Sequence, residues 1–321
     1  MRKFFYLIEF ILIKLFFFIL IIIGYENGSN FGDFIGRLFG PIFRSKKLIE
    51  NNLEQSGIVD KKNYNKIISK IYGNYGRILA EYPFLKAFRN GKLSKFIEID
   101  GLENLNKIKR EKRRAVFISG HFNNFELMAL QIEKAGINLC AIYRPLNNIF
   151  LNKTMEEIRE NFICKNQIKK GRSGTRQIIE NIKKGNSVAL MIDQRVREGI
   201  KINFFGKPAS TTTIPAQLIK KYKCDLVPIY IERRKNNYFK MFVSEPIKIG
   251  NNKSIKEITE HLNKILEKMI LKNVDQWIWT HDRWKNLINL FSLRPQHKKS
   301  RLPVPQRSSK LSFQVVFFFV R

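Results

Sequence analysis

The chain has 321 residues, enough for one large core or two modest ones, and 44% hydrophobic residues exclude a disordered protein. Its 59 Lys and Arg outnumber 27 Asp and Glu, giving a formal net charge of +32. Such a charge attracts nucleic acid, anionic lipid, phosphorylated substrates or acidic proteins, and it does not select among them. Three isolated cysteines support neither a disulfide framework nor a zinc site, so we expect reduced thiols and no metal.

An apolar run fills residues 4–23 and is about long enough to cross a bilayer. Two charges, Glu9 and Lys14, interrupt it, and a charge at the bilayer centre costs roughly 2.5–3.5 kcal/mol on insertion scales. Arg2 and Lys3 also fit the start of a signal peptide, but no small-x-small cleavage site follows the run. We therefore predict an uncleaved membrane anchor that either spans the bilayer or lies in its interface.

After the apolar run, helix and strand patterns alternate along the chain. Residues 24–40 are glycine-rich and predict a linker with short helical pieces, and a stripe of Tyr and Ile over 61–82 predicts a helix. Further strands are predicted at 114–119, 138–143, 187–193, 226–233 and 239–245, and helices at 125–136, 152–163, 175–185, 213–223 and 254–273. This alternation predicts an α/β fold with a mostly parallel central sheet flanked by helices.

These patterns divide the chain into three parts. We predict an anchor helix at 1–24, one folded domain at 25–293 and a basic tail at 294–321. The tail is rich in Pro, Ser and Lys, which predicts disorder.

The stretch ISGHFNNFE, residues 118–126, places His121 and Glu126 directly after a predicted strand. Sites in open α/β sheets form at the carboxyl ends of strands, so His121 lies where a reactive group is expected. With Asn123 as helix N-cap, Glu126 could orient the imidazole and stabilise its protonated form. The same spacing equally fits a capping box and an ordinary loop histidine, because HxxxxE alone is a weak pattern.

Two further strand ends carry functional side chains. The strand SVALMID ends in Asp193, and the strand NLCAIY runs into Arg144. Each residue alone fits a cap or a surface ion pair. Together with His121 they place an imidazole, a guanidinium and a carboxylate at one edge of the sheet, which favours a catalytic site.

Several blocks then occur in a characteristic order, namely HFNNFE, YRPLNN, GRSGTRQ, MIDQR, FFGKPASTT and QWIWTHDRWK. In this order and spacing they resemble the lipid A biosynthesis acyltransferases of the lauroyl- and myristoyl-transferase type, within the lysophospholipid acyltransferase superfamily. The resemblance covers roughly residues 1–288. It implies a glycerolphosphate-acyltransferase-like fold, with 25–293 as the acyltransferase domain and 1–24 as its membrane anchor.

The resemblance also implies a reaction. An acyl chain, lauroyl or similar, passes from the thioester of acyl carrier protein to a hydroxyl of a Kdo-bearing lipid A precursor, with no other cofactor. His121 would be the general base and Glu126 its orienter. The box contains no Ser or Cys that could form an acyl-enzyme, so attack on the thioester would be direct. We expect the enzyme at the inner membrane, with its catalytic domain on the cytoplasmic side.

The resemblance assigns further residues to substrate binding. Arg144, Arg159 and Asp193 match family positions, and guanidinium groups suit phosphate or a developing oxyanion. Arg172 and Arg176, in GRSGTR, are weaker candidates, since a solvated helix start explains them equally well. The block FFGKPAST would shape the acyl pocket or supply core phenylalanines.

Three alternatives stay open at this point. One is an acyltransferase with another acceptor, such as a mannosylated phosphoinositide or an aminolipid. A basic nucleic-acid-binding protein is disfavoured because no RNP, helix-turn-helix or finger pattern occurs and the N-terminus is apolar, so we expect no nucleic-acid partner. A membrane-attached pseudoenzyme is disfavoured by the intact set of candidate site residues.

Overall fold

A computed structural model describes residues 2–250 and 252–285 of the chain, so the predicted tail at 294–321 lies outside the described residues. Eleven α-helices lie in the described ranges: α1 Arg2–Ile23, α2 Tyr25–Phe43, α3 Lys46–Ser56, α4 Tyr64–Glu81, α5 Leu85–Arg89, α6 Leu102–Arg110, α7 Glu126–Lys134, α8 Ile149–Ile158, α9 Arg172–Lys183, α10 Ile214–Tyr222 and α11 Ile255–Lys272. The same ranges hold nine strands: β1 Ile97–Asp100, β2 Ala115–Ser119, β3 Leu139–Tyr143, β4 Asn166–Lys169, β5 Ser187–Met191, β6 Ile200–Phe204, β7 Lys207–Thr211, β8 Asp225–Arg233 and β9 Phe239–Val243.

Seven strands form one central sheet in the order β1-β9-β8-β2-β5-β3-β4, and β6 and β7 form a separate hairpin. All pairings within the central sheet are parallel except β8 with β9. Helices α7, α9 and α10 pack against its strands, which leaves β2 buried along its whole length. The predicted α/β class, with a mostly parallel sheet flanked by helices, is confirmed.

Helix α2 corrects the prediction of a glycine-rich linker over 24–40. Its Gly32, Gly36 and Gly40 lie against α4, and a Cβ on Gly36 would come within 2.3 Å of the Tyr72 carbonyl oxygen. Glycine lowers the stability of a helix by about 1 kcal/mol relative to alanine, so the glycines alone favour a linker over a helix. Here the small residues recur at every fourth position, so two helix backbones pack closely and the contact offsets the cost.

Helix α1 packs one side against the domain and leaves the other side exposed. Ile13, Phe17 and Leu20 belong to the main hydrophobic core, and Glu9 is buried with them. Asn148, the N-cap of α8, donates from Nδ2 to Glu9 Oε2 over 2.7 Å. The acidic residue that interrupts the apolar run therefore faces protein.

Candidate functional site

A cavity of about 220 Å³ opens at the carboxyl ends of β2, β3, β4 and β5. His121, Glu126, Arg144, Arg159 and Gln194 contribute polar groups to its wall. Much of the remaining wall is apolar and built from small and branched side chains: Ala129, Ala141, Ile142, Ile178, Ala189, Leu190, Val196 and Ile214. A largely apolar cavity that also carries charged groups suits a ligand with both a hydrocarbon chain and a polar end.

Strand order brings His121 and Asp193 together. Strands β2 and β5 are parallel neighbours, and Ser119 lies opposite Met191 in their register. His121 and Asp193 each follow two residues later, so both reach the same point beyond the sheet edge. The His121 ring nitrogen Nδ1 lies 2.8 Å from Asp193 Oδ1. The expectation that strand ends deliver these side chains to one edge is confirmed.

Asp193 is a fully buried carboxylate held by several donors. Its Oδ2 accepts the His121 backbone N–H over 2.8 Å and the Trp277 indole N–H over 2.9 Å. Burial alone would raise the pKa of Asp193, but the His121 imidazole and these hydrogen bonds outweigh it and lower the pKa to about 2. The group therefore stays ionised and can stabilise an imidazolium at His121.

The backbone between β2 and α7 allows His121 and Asp193 to come close together. Gly120 leaves room for the carboxylate, because a Cβ there would lie 3.3 Å from Asp193 Oδ2 and 2.9 Å from Leu266 Cδ1. Asn123 has φ +42°, in the left-handed region that asparagine tolerates better than most residues. Helix α7 begins only at Glu126, with Phe125 as its N-cap, so neither the predicted Asn123 cap nor the capping box forms.

Glu126 does not play the predicted part of His121 orienter. Its Oε1 accepts hydrogen bonds from Arg159 Nε at 3.1 Å, from Arg159 Nη2 at 2.8 Å and from the Tyr82 hydroxyl at 2.5 Å. The physical reason is the start of α7: with Glu126 as the first helical residue, its side chain turns to Arg159, and Asp193 takes the position beside the imidazole.

The pair formed by Glu126 and Arg159 is almost withdrawn from water. The two side chains keep only 9% and 8% of their exposed surface. Burial would lower the pKa of Arg159, but the Glu126 carboxylate outweighs it and raises that pKa instead. Arg159 lies at the start of a π-helical turn, Arg159–Ile163, that continues α8. The wide turn directs a charged side chain from that helix to the cavity wall.

The remaining predicted arginines differ in position. Arg144 follows β3, is exposed and lines the cavity. Arg172 is the first residue of α9, and its side chain lies outside the described atoms. Arg176 is exposed and forms an ion pair with Glu180 at 3.0 Å, as a solvated helix start would. Lys170, which follows β4, also lines the cavity; sequence reasoning overlooked it.

The remaining predicted features are the block FFGKPASTT and the cysteines. The block supplies the end of β6, the turn and β7, and its Thr212 lines the cavity. Phe204 is buried against Trp277 and Trp284, which makes it a core residue. The three cysteines are buried and unpaired in disulfides. Within residues 2–250 and 252–285, no group of His, Cys, Asp and Glu is arranged to hold a metal ion.

Comparison with known proteins gives consistent matches. The model of the bacterial lipid A biosynthesis acyltransferases matches residues 1–286. The lipid A biosynthesis palmitoleoyltransferase of Escherichia coli K12 is 25% identical over 267 residues, covering 79% of this chain and 83% of that protein. The lipid A biosynthesis lauroyltransferase of the same strain is 25% identical over 251 residues, covering 75% of this chain and 79% of that protein.

A more distant relative and one solved structure complete the comparison. A lipid A biosynthesis acyltransferase of Haemophilus influenzae is 23% identical and covers 78% of this chain and 83% of that protein. The crystal structure of a 1-acyl-sn-glycerophosphate acyltransferase from Thermotoga maritima covers 85% of this chain and 99% of that chain, with 12% identity and a TM-score of 0.38. A likeness at that level carries no argument. The sequence resemblance to the lipid A acyltransferases is confirmed.

Proposed function

The chain belongs to the bacterial lipid A biosynthesis acyltransferase family, and from that premise we propose that it moves a fatty acyl chain from acyl carrier protein to a hydroxyl of a Kdo-bearing lipid A precursor. Acyl transfer in lipid A biosynthesis is what the family and its named relatives share. The donor, the acceptor and the chain length are the proposed part.

One observation carries the proposal: an imidazole backed by a buried carboxylate at the wall of a largely apolar cavity. Nδ1 of His121 is engaged by Asp193, which leaves Nε2 to accept a proton. Among the described residues lining the cavity, none is a serine or cysteine. Two threonines, Thr175 and Thr212, also line the cavity, but the hydrogen bonds described for the His121 ring run to Asp193 and not to either hydroxyl. With no hydroxyl paired to the base, the arrangement favours direct transfer over an acyl-enzyme.

The reaction then balances in two steps. Nε2 of His121 takes the proton of the acceptor hydroxyl as its oxygen attacks the thioester carbonyl, forming a tetrahedral oxyanion. As that intermediate collapses, the carbon–sulfur bond breaks and the imidazolium returns its proton to the sulfur. The products are an ester on the glycolipid and a free thiol on acyl carrier protein. Asp193 stabilises the imidazolium between the steps.

The cations at the cavity support an anionic donor and acceptor. Exposed Arg144 suits the phosphate of phosphopantetheine or of the glycolipid, because a guanidinium binds phosphate oxygens in pairs. Arg172 belongs to the same proposal. Arg159 faces the cavity too, but its charge is balanced by Glu126, so we assign it to shaping the wall and the oxyanion region. The net charge of +32 favours capture of an acidic carrier protein.

The outer surfaces of α1 and α2 support contact with a membrane, and we propose that this is the inner membrane, with the catalytic domain on the cytoplasmic side. α1 is long and apolar enough to cross a membrane. The apolar side chains exposed on the two helices are Phe4, Phe5, Leu7, Ile11, Leu12, Leu15, Phe18, Ile19, Ile21, Ile22, Phe31, Phe34, Leu38, Phe39 and Ile42. Because α1 is also packed on the domain, we propose that both helices enter lipid together. Loss of vesicle binding in Phe34→Asp would support this, and unchanged binding would refute it.

The test is an acyl-transfer assay in detergent. Purified protein receives acyl carrier proteins of several chain lengths, including lauroyl and palmitoleoyl, and a tetra-acylated Kdo-lipid A precursor. We expect transfer by the wild type and none by His121→Ala. No transfer with any chain from a folded protein would overturn the acceptor assignment, and other lipid acceptors would follow.

A second arm addresses the donor. With acyl carrier protein as donor, kcat/KM should fall steeply as salt rises through about 0.1 M, where the Debye length is about 10 Å. An acyl-pantetheine thioester without phosphate is the control and should show little salt dependence. Equal dependence for both donors would contradict electrostatic capture of the carrier protein.

A further inference from the structure

We propose that Trp277 is a positioning residue of the acyltransferase, and that its indole N–H holds Asp193 in the orientation that serves His121. The inference rests on the proposed role of His121 as base. Trp277 lies 84 residues from Asp193 in sequence, and its Nε1 donates to Asp193 Oδ2 over 2.9 Å. The Trp277 side chain is buried and is not among the cavity-lining residues, so it acts through the carboxylate.

The hydrogen bonds on Asp193 are divided between its two oxygens. Oδ2 accepts the indole N–H of Trp277 and the backbone N–H of His121. Oδ1 makes the shorter contact with the imidazole, at 2.8 Å against 3.1 Å for Oδ2. Two donors on one oxygen fix the carboxylate plane and leave the other oxygen for the ring. Rotation of the carboxylate away from the imidazole would break these hydrogen bonds in a buried site, where they are costly to lose.

The segment that carries Trp277 also holds the His121 loop. The neighbouring Gln276 accepts the Asn123 backbone N–H at its carbonyl oxygen over 3.1 Å, and its Oε1 accepts Asn123 Nδ2 over 2.7 Å. A backbone bridge pairs Trp277 with Phe122. Residues on either side of one peptide bond thus contact both the loop after β2 and the carboxylate after β5. The spacing between base and carboxylate is set by this short segment.

Rigid packing makes the indole suitable for the task. Trp277 meets Trp279 edge to face with centroids 4.7 Å apart, and Phe204 with centroids 5.9 Å apart. The other two tryptophans donate their indole N–H groups to backbone carbonyls, Trp279 to Val274 and Trp284 to Phe204. Trp277 alone among the three donates to a charged side chain. It therefore has a matched control within the same aromatic cluster.

The first test compares Trp277→Phe with Trp284→Phe. Both changes remove a buried indole N–H, but only the first removes a donor to Asp193. We expect kcat of Trp277→Phe to fall about 10- to 100-fold with KM nearly unchanged, since hydrogen bonds to charged groups are among the stronger ones. Trp284→Phe should keep kcat within about threefold of wild type. Equal losses in both variants, or an unchanged kcat in folded Trp277→Phe, would overturn the proposal.

A second variant covers the case in which Trp277→Phe does not fold. Replacing Trp277 with β-(3-benzothienyl)alanine keeps the shape of the side chain and substitutes sulfur for the N–H. The same analogue at Trp284 is the control. The kcat loss should reappear at position 277 and be absent at 284.

A spectroscopic readout separates this inference from the proposed function. The chain has only four histidines, so ¹⁵N-histidine labelling gives a sparse spectrum, and the His121→Gln variant assigns the His121 signals. We expect the Nδ1 proton of His121 to shift with the analogue at 277 and to stay in place with the analogue at 284. An unmoved resonance would refute the positioning role. Absence of acyl transfer in the wild type, with the shift observed, would refute only the proposed reaction.

Discussion

The two ionisable ends of the stretch 121–126 lie in contrasting environments. His121 lines the cavity, keeps 13% of its side-chain surface exposed and contacts a carboxylate from the neighbouring strand end. Glu126 begins a helix and is enclosed by Arg159 and Tyr82. The imidazole has one nitrogen left for a substrate proton, whereas one oxygen of the Glu126 carboxylate already accepts three hydrogen bonds. Five residues of spacing therefore separate the proposed base from a buried ion pair.

From this difference we expect some substitutions to affect catalysis and others to affect folding. A group that faces a cavity can be removed at little cost to the core. One member of a buried ion pair cannot, because its partner is left charged and unsolvated.

The largest expected effect is at the imidazole. His121→Ala should lower kcat by about 1,000-fold or more, because it removes the general base and leaves Asp193 with no imidazolium to stabilise. The melting temperature should fall less than in Glu126→Gln, because the buried Asp193 carboxylate keeps the backbone N–H of residue 121 and the Trp277 indole N–H as donors. The acyl-transfer assay and a thermal melt on the same sample check both statements. Residual activity within tenfold of wild type would show that another group takes the proton.

The next effect concerns stability at the other end of the stretch. Glu126→Gln leaves Arg159 charged in a buried site, so the free energy of unfolding should fall by about 3–5 kcal/mol. The double variant Glu126→Gln/Arg159→Gln removes the unpaired charge and should recover most of that loss. Urea unfolding in detergent gives the free energy of unfolding of the wild type, the single variant and the double variant. A single variant that unfolds like wild type yet loses 1,000-fold in kcat would instead place Glu126 in the chemistry.

A second imidazole, that of His281, lies in a different environment from that of His121. His281 accepts the Arg195 backbone N–H at Nε2 over 2.9 Å. Burial lowers its pKa from 6.5 to about 4, partly opposed by Asp193 and reinforced by Arg283. His281 is thus held neutral by burial, whereas His121 contacts the Asp193 carboxylate at the cavity wall.

The consequence is a defined pH dependence of stability. Because the folded pKa of His281 lies below its unfolded value, its contribution is fully present above about pH 6.5 and is lost as pH falls toward 4. The lost stability is about 3 kcal/mol, from about 1.4 kcal/mol per pKa unit. Unfolding free energies measured between these pH values should fall less steeply in His281→Gln. An identical slope in both proteins would contradict the neutral assignment.

Sequence patterns predict the sheet edge that carries the candidate site, because that edge depends on local features. Period and composition located β2, β3 and β5, and parallel strands end at the same edge, so His121, Arg144 and Asp193 were placed correctly as a group. The partner of His121 was assigned wrongly because it depends on strand order. The adjacency of β2 and β5 appears in no spacing along the chain.

Two other features lay beyond local patterns. Helix α2 was predicted as a linker because its glycines are unfavourable alone and become favourable only against α4. Sequence patterns place Trp277 only within the block QWIWTHDRWK, since a contact across 84 residues leaves no periodic signal. In both cases tertiary packing decided the outcome.

The most direct test of the account is the kcat of Asp193→Asn. An amide keeps the size of the side chain but cannot stabilise the imidazolium, and the corresponding change in a Ser-His-Asp triad costs about 10⁴-fold. We predict a loss of about 1,000-fold or more in kcat, with KM little changed and the protein folded. A folded Asp193→Asn variant with kcat within tenfold of wild type would contradict the account, because the imidazole would then work without its buried carboxylate.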